Sequence, residues 1–314
     1  MLNRRHIRIK VMQSLFAFNG GESDDFSKDE KFLFYSIDSM YDLYLVILSL
    51  LVEVQKKAKD RLDKTQNKLL ATAEDKNPNR KFADNRLLEL ISHNEQLKDA
   101  VKKRKLNFWD LDFEYVDIIY KAIIESDVYK DYMNDKIADF QSDKAFVVKV
   151  YSEIIAPNEK LYEYFEDKRL TWLDDLPVVN TTLVKVFKKL KEHSPESVLL
   201  PKLYKDDDDR KFAKDLFVKT LLNKSSFYEE ISSKTTNWDA ERLASIDGVL
   251  LQMALCEFQK FSFIPFKVTM NEYLEIAKEY STPKSSIFIN GVLDKIVKEY
   301  MSQNTYVKTG RGLL

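Results

Sequence analysis

Glycine is scarce in this chain: there are six among 314 residues, and none between Gly21 and Gly248. Phosphate-cradling loops and dinucleotide turns need backbone positions that only glycine tolerates, so neither exists over most of the sequence. Cysteine is scarcer still. Cys256 is the only one, which excludes a disulfide framework and a thiolate zinc cluster. Set between Leu255 and Glu257 in a helical pattern, it reads as a small buried apolar residue and not as a nucleophile. The three histidines, His6, His93 and His193, stand far apart and form no metal-spaced pair. With no nucleophile elbow, metalloprotease helix or kinase motif present, neither an enzyme nor a bound cofactor or metal is expected.

Neither sign of charge dominates. The formal net charge is -1, so partners have to be read from local charge. The longest apolar run, Leu43 to Val54, is interrupted by Ser49 and Glu53 and falls short of the roughly 20 residues of a membrane span. The cationic start is not followed by an unbroken apolar core, since Lys10 and Gln13 intervene, and no secretory signal is read there. The expected location is cytoplasmic.

What the chain does have is ample core material, 44% hydrophobic and 12% aromatic residues, in long stretches rich in Lys, Glu, Leu and Ala. That composition predicts an all-α protein. Residues 3 to 19 form one helix, with Ile7, Val11, Leu15 and Phe18 along its apolar strip and Gly20-Gly21 as a left-handed stop. Arg4 and Arg8 lie one turn apart and project together. The first 21 residues carry Arg4, Arg5, Arg8 and Lys10 without one acid. Asp29 to Leu70 reads as one or two long helices, and Ala73 to Ala83, with Asn77-Pro78-Asn79, as a linker. Asn85 to Lys105 reads as a further helix. It ends in Lys102-Lys103-Arg104-Lys105, either a solvated helix end or a phosphate contact.

Residues 143 to 187 match 209 to 253 at a constant offset of 66, pairing Phe146 with Phe212, Tyr151 with Phe217, Tyr162-Glu163 with Tyr228-Glu229, Lys168 with Lys234 and Trp172 with Trp238. Either a decayed duplication or the shared aromatic spacing of two amphipathic stretches accounts for this. Asp206 to Asp209 mark an exposed loop leading into a helix whose start favours negative charge.

Further on, Thr269 and Glu272 have the spacing of a capping box, and Met270, Tyr273, Leu274, Ala277 and Tyr280 recur on one face. Thr282-Pro283 reads as the cap and first residue of a last helix, with Ile289, Leu293, Val297 and Tyr300 along one strip. Gly291 inside it costs about 1 kcal/mol relative to alanine.

The order Glu257...Pro265-Phe266-Lys267-Val268-Thr269-Met270-Asn271-Glu272...Ala277-Lys278...Phe288-Ile289-Asn290-Gly291-Val292-Leu293-Asp294 resembles the signature of the NusB family of bacterial antitermination factors. Arg4-Arg5...Arg8...Gln13-Ser14-Leu15-Phe16 is similar to that family's first helix. NusB proteins usually carry alanine where Ile7 stands and tyrosine or another aromatic where Phe16 stands. The resemblance covers residues 3 to 20 and about 205 to 300. It implies an all-helical fold of two small bundles with an additional inserted helical domain. The expected boundaries are 1–20 for the first NusB helix, 21–202 for the insertion, with 143–187 as a degenerate repeat of the core, 203–301 for the core and 302–314 for a flexible tail.

In function, the resemblance implies a transcription antitermination factor that binds boxA-type single-stranded RNA together with the ribosomal protein NusE. The complex joins RNA polymerase and supports ribosomal RNA synthesis. Arg4, Arg5, Arg8 and Lys10 would then meet phosphates and Phe16 a base, unless Phe16 is core. Lys284, Ser285 and Ser286 offer a cation, hydroxyls and free amides at a helix N-terminus; the family commonly has an acid near Lys284. Glu241 and Asp247 match acidic positions of the NusE face. Asn271, Glu272 and Asn290 are expected as structural hydrogen-bonders, and Gly291 as a site of close helix packing or of direct RNA contact. Two other readings follow from the same residues. A NusB-like domain serving ribosomal RNA methylation would need a glycine-rich cofactor module, which this chain lacks; a non-catalytic helical interaction scaffold with a lost RNA site needs nothing further.

Overall fold

The computed structural model describes residues 1–20, 26–68, 72–235 and 246–309, and every regular element among them is helical. The fold is all-α, as the composition predicts. In chain order the helices are α1 (Arg4–Gly20), α2 (Phe26–Gln66), α3 (Ala73–Lys76), α4 (Arg86–Ser92), α5 (Glu95–Arg104), α6 (Phe113–Glu125), α7 (Asp127–Asn134) and α8 (Phe140–Val150). There follow α9 (Glu159–Lys168), α10 (Leu176–Lys189), α11 (Asp207–Leu222), α12 (Lys224–Lys234), α13 (Ile246–Lys260), α14 (Phe266–Tyr280) and α15 (Ser285–Gln303).

Local chemistry sets many of these starts. The side chain of Asn85 accepts from the Leu87 and Leu88 amides, that of Asn158 from Leu161 and that of Asp206 from Asp209, each satisfying a first-turn donor that has no partner inside the helix. Asn94 does the same for Leu97, and so splits the single helix expected over Asn85 to Lys105 into α4 and α5. The long stretch from Asp29 onward is one continuous helix, and the linker expected over Ala73 to Ala83 contains the short α3.

Two compact units emerge, one of residues Asp38–Leu203 together with Met1, the other of Leu2–Ile37 and Tyr204–Leu314. The division falls inside α2. In the first unit Tyr151 and Trp172 are completely buried. Trp172 donates to the Ser39 carbonyl at 2.7 Å and Tyr44 to the Leu199 carbonyl at 2.7 Å, so each large ring is buried with its polar tip satisfied. In the second unit α1 packs on α11 and α13, and α14 packs between α13 and α15.

Positions related by the offset of 66 share their environment. Asp143 and Asp209, Phe146 and Phe212, Tyr151 and Phe217, Leu183 and Val249, and Phe187 and Met253 are all buried, and α9 and α12 end at Lys168 and Lys234. One local difference is a π-helical turn at Tyr151–Ile155, where α11 continues as an α-helix. Trp238 lies outside the described residues.

Three expectations at the C-terminus are corrected. Thr269 and Glu272 form no capping box: α14 begins at Phe266 behind Pro265, and the Val268 and Thr269 amides bond the Pro265 carbonyl. Thr269 is instead buried, with its hydroxyl donating to Glu257. The last helix starts at Ser285 and not at Pro283, because Thr282 and Pro283 are spent in a turn in which the Ser285 amide bonds the Thr282 carbonyl. Gly291 is exposed, and a Cβ built there would meet no atom within 4 Å, so close helix packing does not account for it. At the other end, Gly20 belongs to α1 and has no positive φ, so it is no left-handed stop; Gly21 lies outside the described residues.

The last described residues are docked against their own unit. The Thr309 amide donates to the Ser262 carbonyl at 2.9 Å, Tyr306 packs edge-on to Tyr300, and the Lys308 ammonium donates to the Glu257 and Phe261 carbonyls at 3.0 Å each. Burial pulls the Lys308 pKa down to about 8.

Candidate nucleic-acid interface

The arginines of α1 come together in the second unit, each against a carboxylate from far along the chain. Arg8 is 3% exposed and forms a two-pronged pair with the fully buried Glu257, Nε to Oε1 at 2.6 Å and Nη2 to Oε2 at 2.9 Å. Tyr273 and Thr269 donate to the same carboxylate at 2.8 and 3.1 Å. Glu257 thus accepts from three side chains, the condition under which a buried charge is tolerated. Burial opposes the charge on Arg8, but the Glu257 carboxylate outweighs it and holds the guanidinium above its ordinary pKa.

Arg5 donates to Glu272 through Nε at 3.0 Å and Nη2 at 2.8 Å. This hydrogen bond raises the arginine's pKa and, against the opposing effect of burial, lowers that of Glu272. Arg4 donates through Nε to Asp209 at 3.2 Å, and its guanidinium lies 5.1 and 5.4 Å from the ring centres of Phe212 and Phe263.

Arg4 and Arg5 each stay about two-fifths exposed. A guanidinium has five N–H donors; Arg4 spends one and Arg5 two on these carboxylates. The remainder are available at the rim of an open hollow of about 580 Å³ lined by Asn3, Arg4, Arg5, Arg8, Phe263, Ile264, Pro265, Val268 and Glu272. The hollow is built by the start of α1, the 261–265 loop and the first turns of α14.

Not every predicted residue takes part. Arg8 and Lys10 are buried; Arg8 borders the hollow, but its guanidinium is engaged by Glu257 and, at 3.5 Å, by Glu272. Phe16 is 44% exposed on α1. Lys284 is exposed, whereas Ser285 is buried and bonded to Ser281 and Thr282, and Ser286 is half-buried. Asp247 is buried and accepts from Ser281 at 2.6 Å, which removes it from the acidic docking face expected of it. Glu241 lies outside the described residues. Asn271 and Asn290 are exposed and, with Ser286 and Ile287, line a second open hollow of about 530 Å³; neither side chain is hydrogen-bonded within the described residues, so the structural role expected of them belongs to Glu272 alone.

Asp209, Phe212, Phe263 and Val268 were not picked out from the sequence as site residues. Asp209 stands out as the last of four consecutive acids, Phe212 through its offset-66 pairing with Phe146 and Val268 as part of the signature run; Phe263 has no such signal. No helix among the described residues is long and apolar enough to cross a membrane, and no group of acidic, histidine or cysteine side chains among them is placed to hold a metal ion.

Residues 182–298 match the model of the NusB family. The chain is 45% identical over 112 residues to the transcription antitermination protein NusB of Salinibacter ruber, covering 36% of this chain and 70% of that protein. It is 40% identical over 106 residues to the NusB of Chloroherpeton thalassium, covering 32% and 50%, and 37% identical over 99 residues to that of Thermodesulfovibrio yellowstonii, covering 32% and 66%. No solved structure matches the chain.

Proposed function

Because this chain belongs to the NusB family, we propose that it is a non-catalytic, cytoplasmic antitermination factor that binds boxA-type RNA together with NusE and joins the RNA polymerase complex during ribosomal RNA transcription. The observation that carries the RNA part of this reading is the hollow at the start of α1, where Arg4 and Arg5 keep exposed N–H donors. Single-stranded RNA is held by cationic groups along its phosphates and by aromatic faces under its bases. Phe16, and the turn bearing Lys284 and Ser286, would extend that contact. The residues between α1 and α11 supply a helical appendage, for which the offset of 66 supports an origin by duplication of core helices.

Three carboxylates face the three arginines, so the local field is weaker than the α1 sequence suggests. The affinity should therefore fall with salt along a shallow slope, set by the few phosphates that Arg4, Arg5 and Lys284 meet. This pairing is also the one observation that favours the scaffold reading. Fluorescence anisotropy of a labelled boxA RNA, titrated with the protein with and without NusE at several salt concentrations, separates the two. Binding that NusE tightens and a scrambled RNA lacks is expected; no binding of either RNA under any condition leaves the scaffold.

A further inference from the structure

From the surroundings of Phe263 we infer that this residue is the base platform of a one-nucleotide RNA pocket; the inference rests on the RNA-binding reading above and names the group that would hold a base within it. Phe263 is 49% exposed. A lone exposed phenylalanine needs no explanation, but this one lies on the wall of the hollow that contains the free donors of Arg4 and Arg5. Its ring is steadied from two sides, by the Arg4 guanidinium at 5.4 Å from its centre and by the edge-on ring of Phe261 at 6.0 Å. Phe261 is itself buried and packs edge-on against Phe212. The exposed part of Phe263 is therefore braced by neighbours on two sides.

The dimensions suit the chemistry. A volume of about 580 Å³ falls within the roughly 300–1,000 Å³ of small-ligand clefts, room for one base with its ribose and phosphate. A base stacked on Phe263 would place its phosphate toward Arg4 and Arg5, whose guanidinium groups flank the same space. Glu272, also on the wall, is already bonded to Arg5 and holds that cation in position. Stacking accepts any base because every base has a π-face, so the pocket adds affinity and register. Specificity would come from groups that reach the base edge, of which Asn3 on the rim is one.

The test compares Phe263→Ala, Phe263→Leu and Phe263→Trp with the wild type in the boxA RNA titration, with thermal melts to confirm folding. Phe263→Ala and Phe263→Leu are expected to weaken RNA binding about 5-fold or more, the scale of one lost aromatic–base stack, with the salt slope unchanged because no charge is removed. Phe263→Trp should keep or improve the affinity. RNAs carrying an abasic residue at one position at a time should reveal a single position at which the wild type and Phe263→Ala bind equally. Wild-type binding with an unaffected Phe263→Ala variant, rescue by leucine as good as by tryptophan, or an effect confined to NusE binding would each overturn the platform while leaving the RNA reading intact. Absence of RNA binding by the wild type would remove both.

Discussion

Arg8 and Glu257 stand 249 residues apart and meet as a buried, two-pronged ion pair at 2.6 and 2.9 Å. With Arg4–Asp209 and Arg5–Glu272, this pair joins α1 to α11, α13 and α14. The arrangement answers a topological need: α1 and the helices it packs on are separated in sequence by everything from Asp38 to Leu203. A register-specific contact between them has to be made by side chains at long range.

Removing one partner of the buried pair should be far more damaging than removing both. Glu257→Ala leaves the buried Arg8 with only its 3.5 Å contact to Glu272, and a loss of about 3–5 kcal/mol is expected by urea denaturation. The double variant Arg8→Met, Glu257→Leu should be less destabilised than Glu257→Ala, since no unpaired charge remains. A loss below about 1 kcal/mol for Glu257→Ala would mean that the pair does not secure α1.

The Arg5–Glu272 pair should contribute to the acid limb of stability. The hydrogen bond from Arg5 lowers the folded-state pKa of Glu272, with burial opposing and Arg8 adding to the effect. The contribution is therefore fully present above the unfolded-state value of about 4.3 and is lost as the pH falls through the folded-state value. Arg5→Gln should flatten the dependence of the melting temperature on pH below about 4.3 and leave its shape near pH 7 unchanged. An acid limb identical to that of the wild type would contradict the pairing.

Gly291→Ala should stabilise the protein by about 1 kcal/mol, because the position is helical, exposed and open, and alanine is the better helix former by that amount. The expected result is a higher melting temperature. If the same variant also loses RNA or NusE affinity, the glycine serves close approach by a bound partner; a lower melting temperature would contradict the open helical surface assigned to this position.

Much of the local architecture was legible in the residues themselves. Of the strip Ile7, Val11, Leu15 and Phe18, the first three are buried as their spacing predicts and Phe18 is half-buried; Asp206 to Asp209, expected as an exposed loop before a helix, instead cap and begin α11, with Asp209 buried. The interior at the C-terminus was legible too, with Tyr273, Ala277, Ile289 and Leu293 completely buried. Misreadings arose where a residue suited to a local role was taken by a distant partner. Thr269 and Glu272 have capping-box spacing, yet their polar atoms go to Glu257 and to Arg5.

The sequence by itself determined the helical class, the first, second and last helices to within a few residues, the family signature and the absence of a glycine-rich phosphate loop over most of the chain, because each depends on periodicity, a short-range hydrogen bond or residue type. Tertiary structure alone decided which cations of α1 remain available. Arg4, Arg5, Arg8 and Lys10 look alike in a basic segment without acids, and what separates them is the depth of each side chain and the carboxylate that α11, α13 or α14 brings to it. Electrostatic partnership and solvent access are properties of three-dimensional distance, and a partner more than 200 residues away leaves no mark on the residues around it.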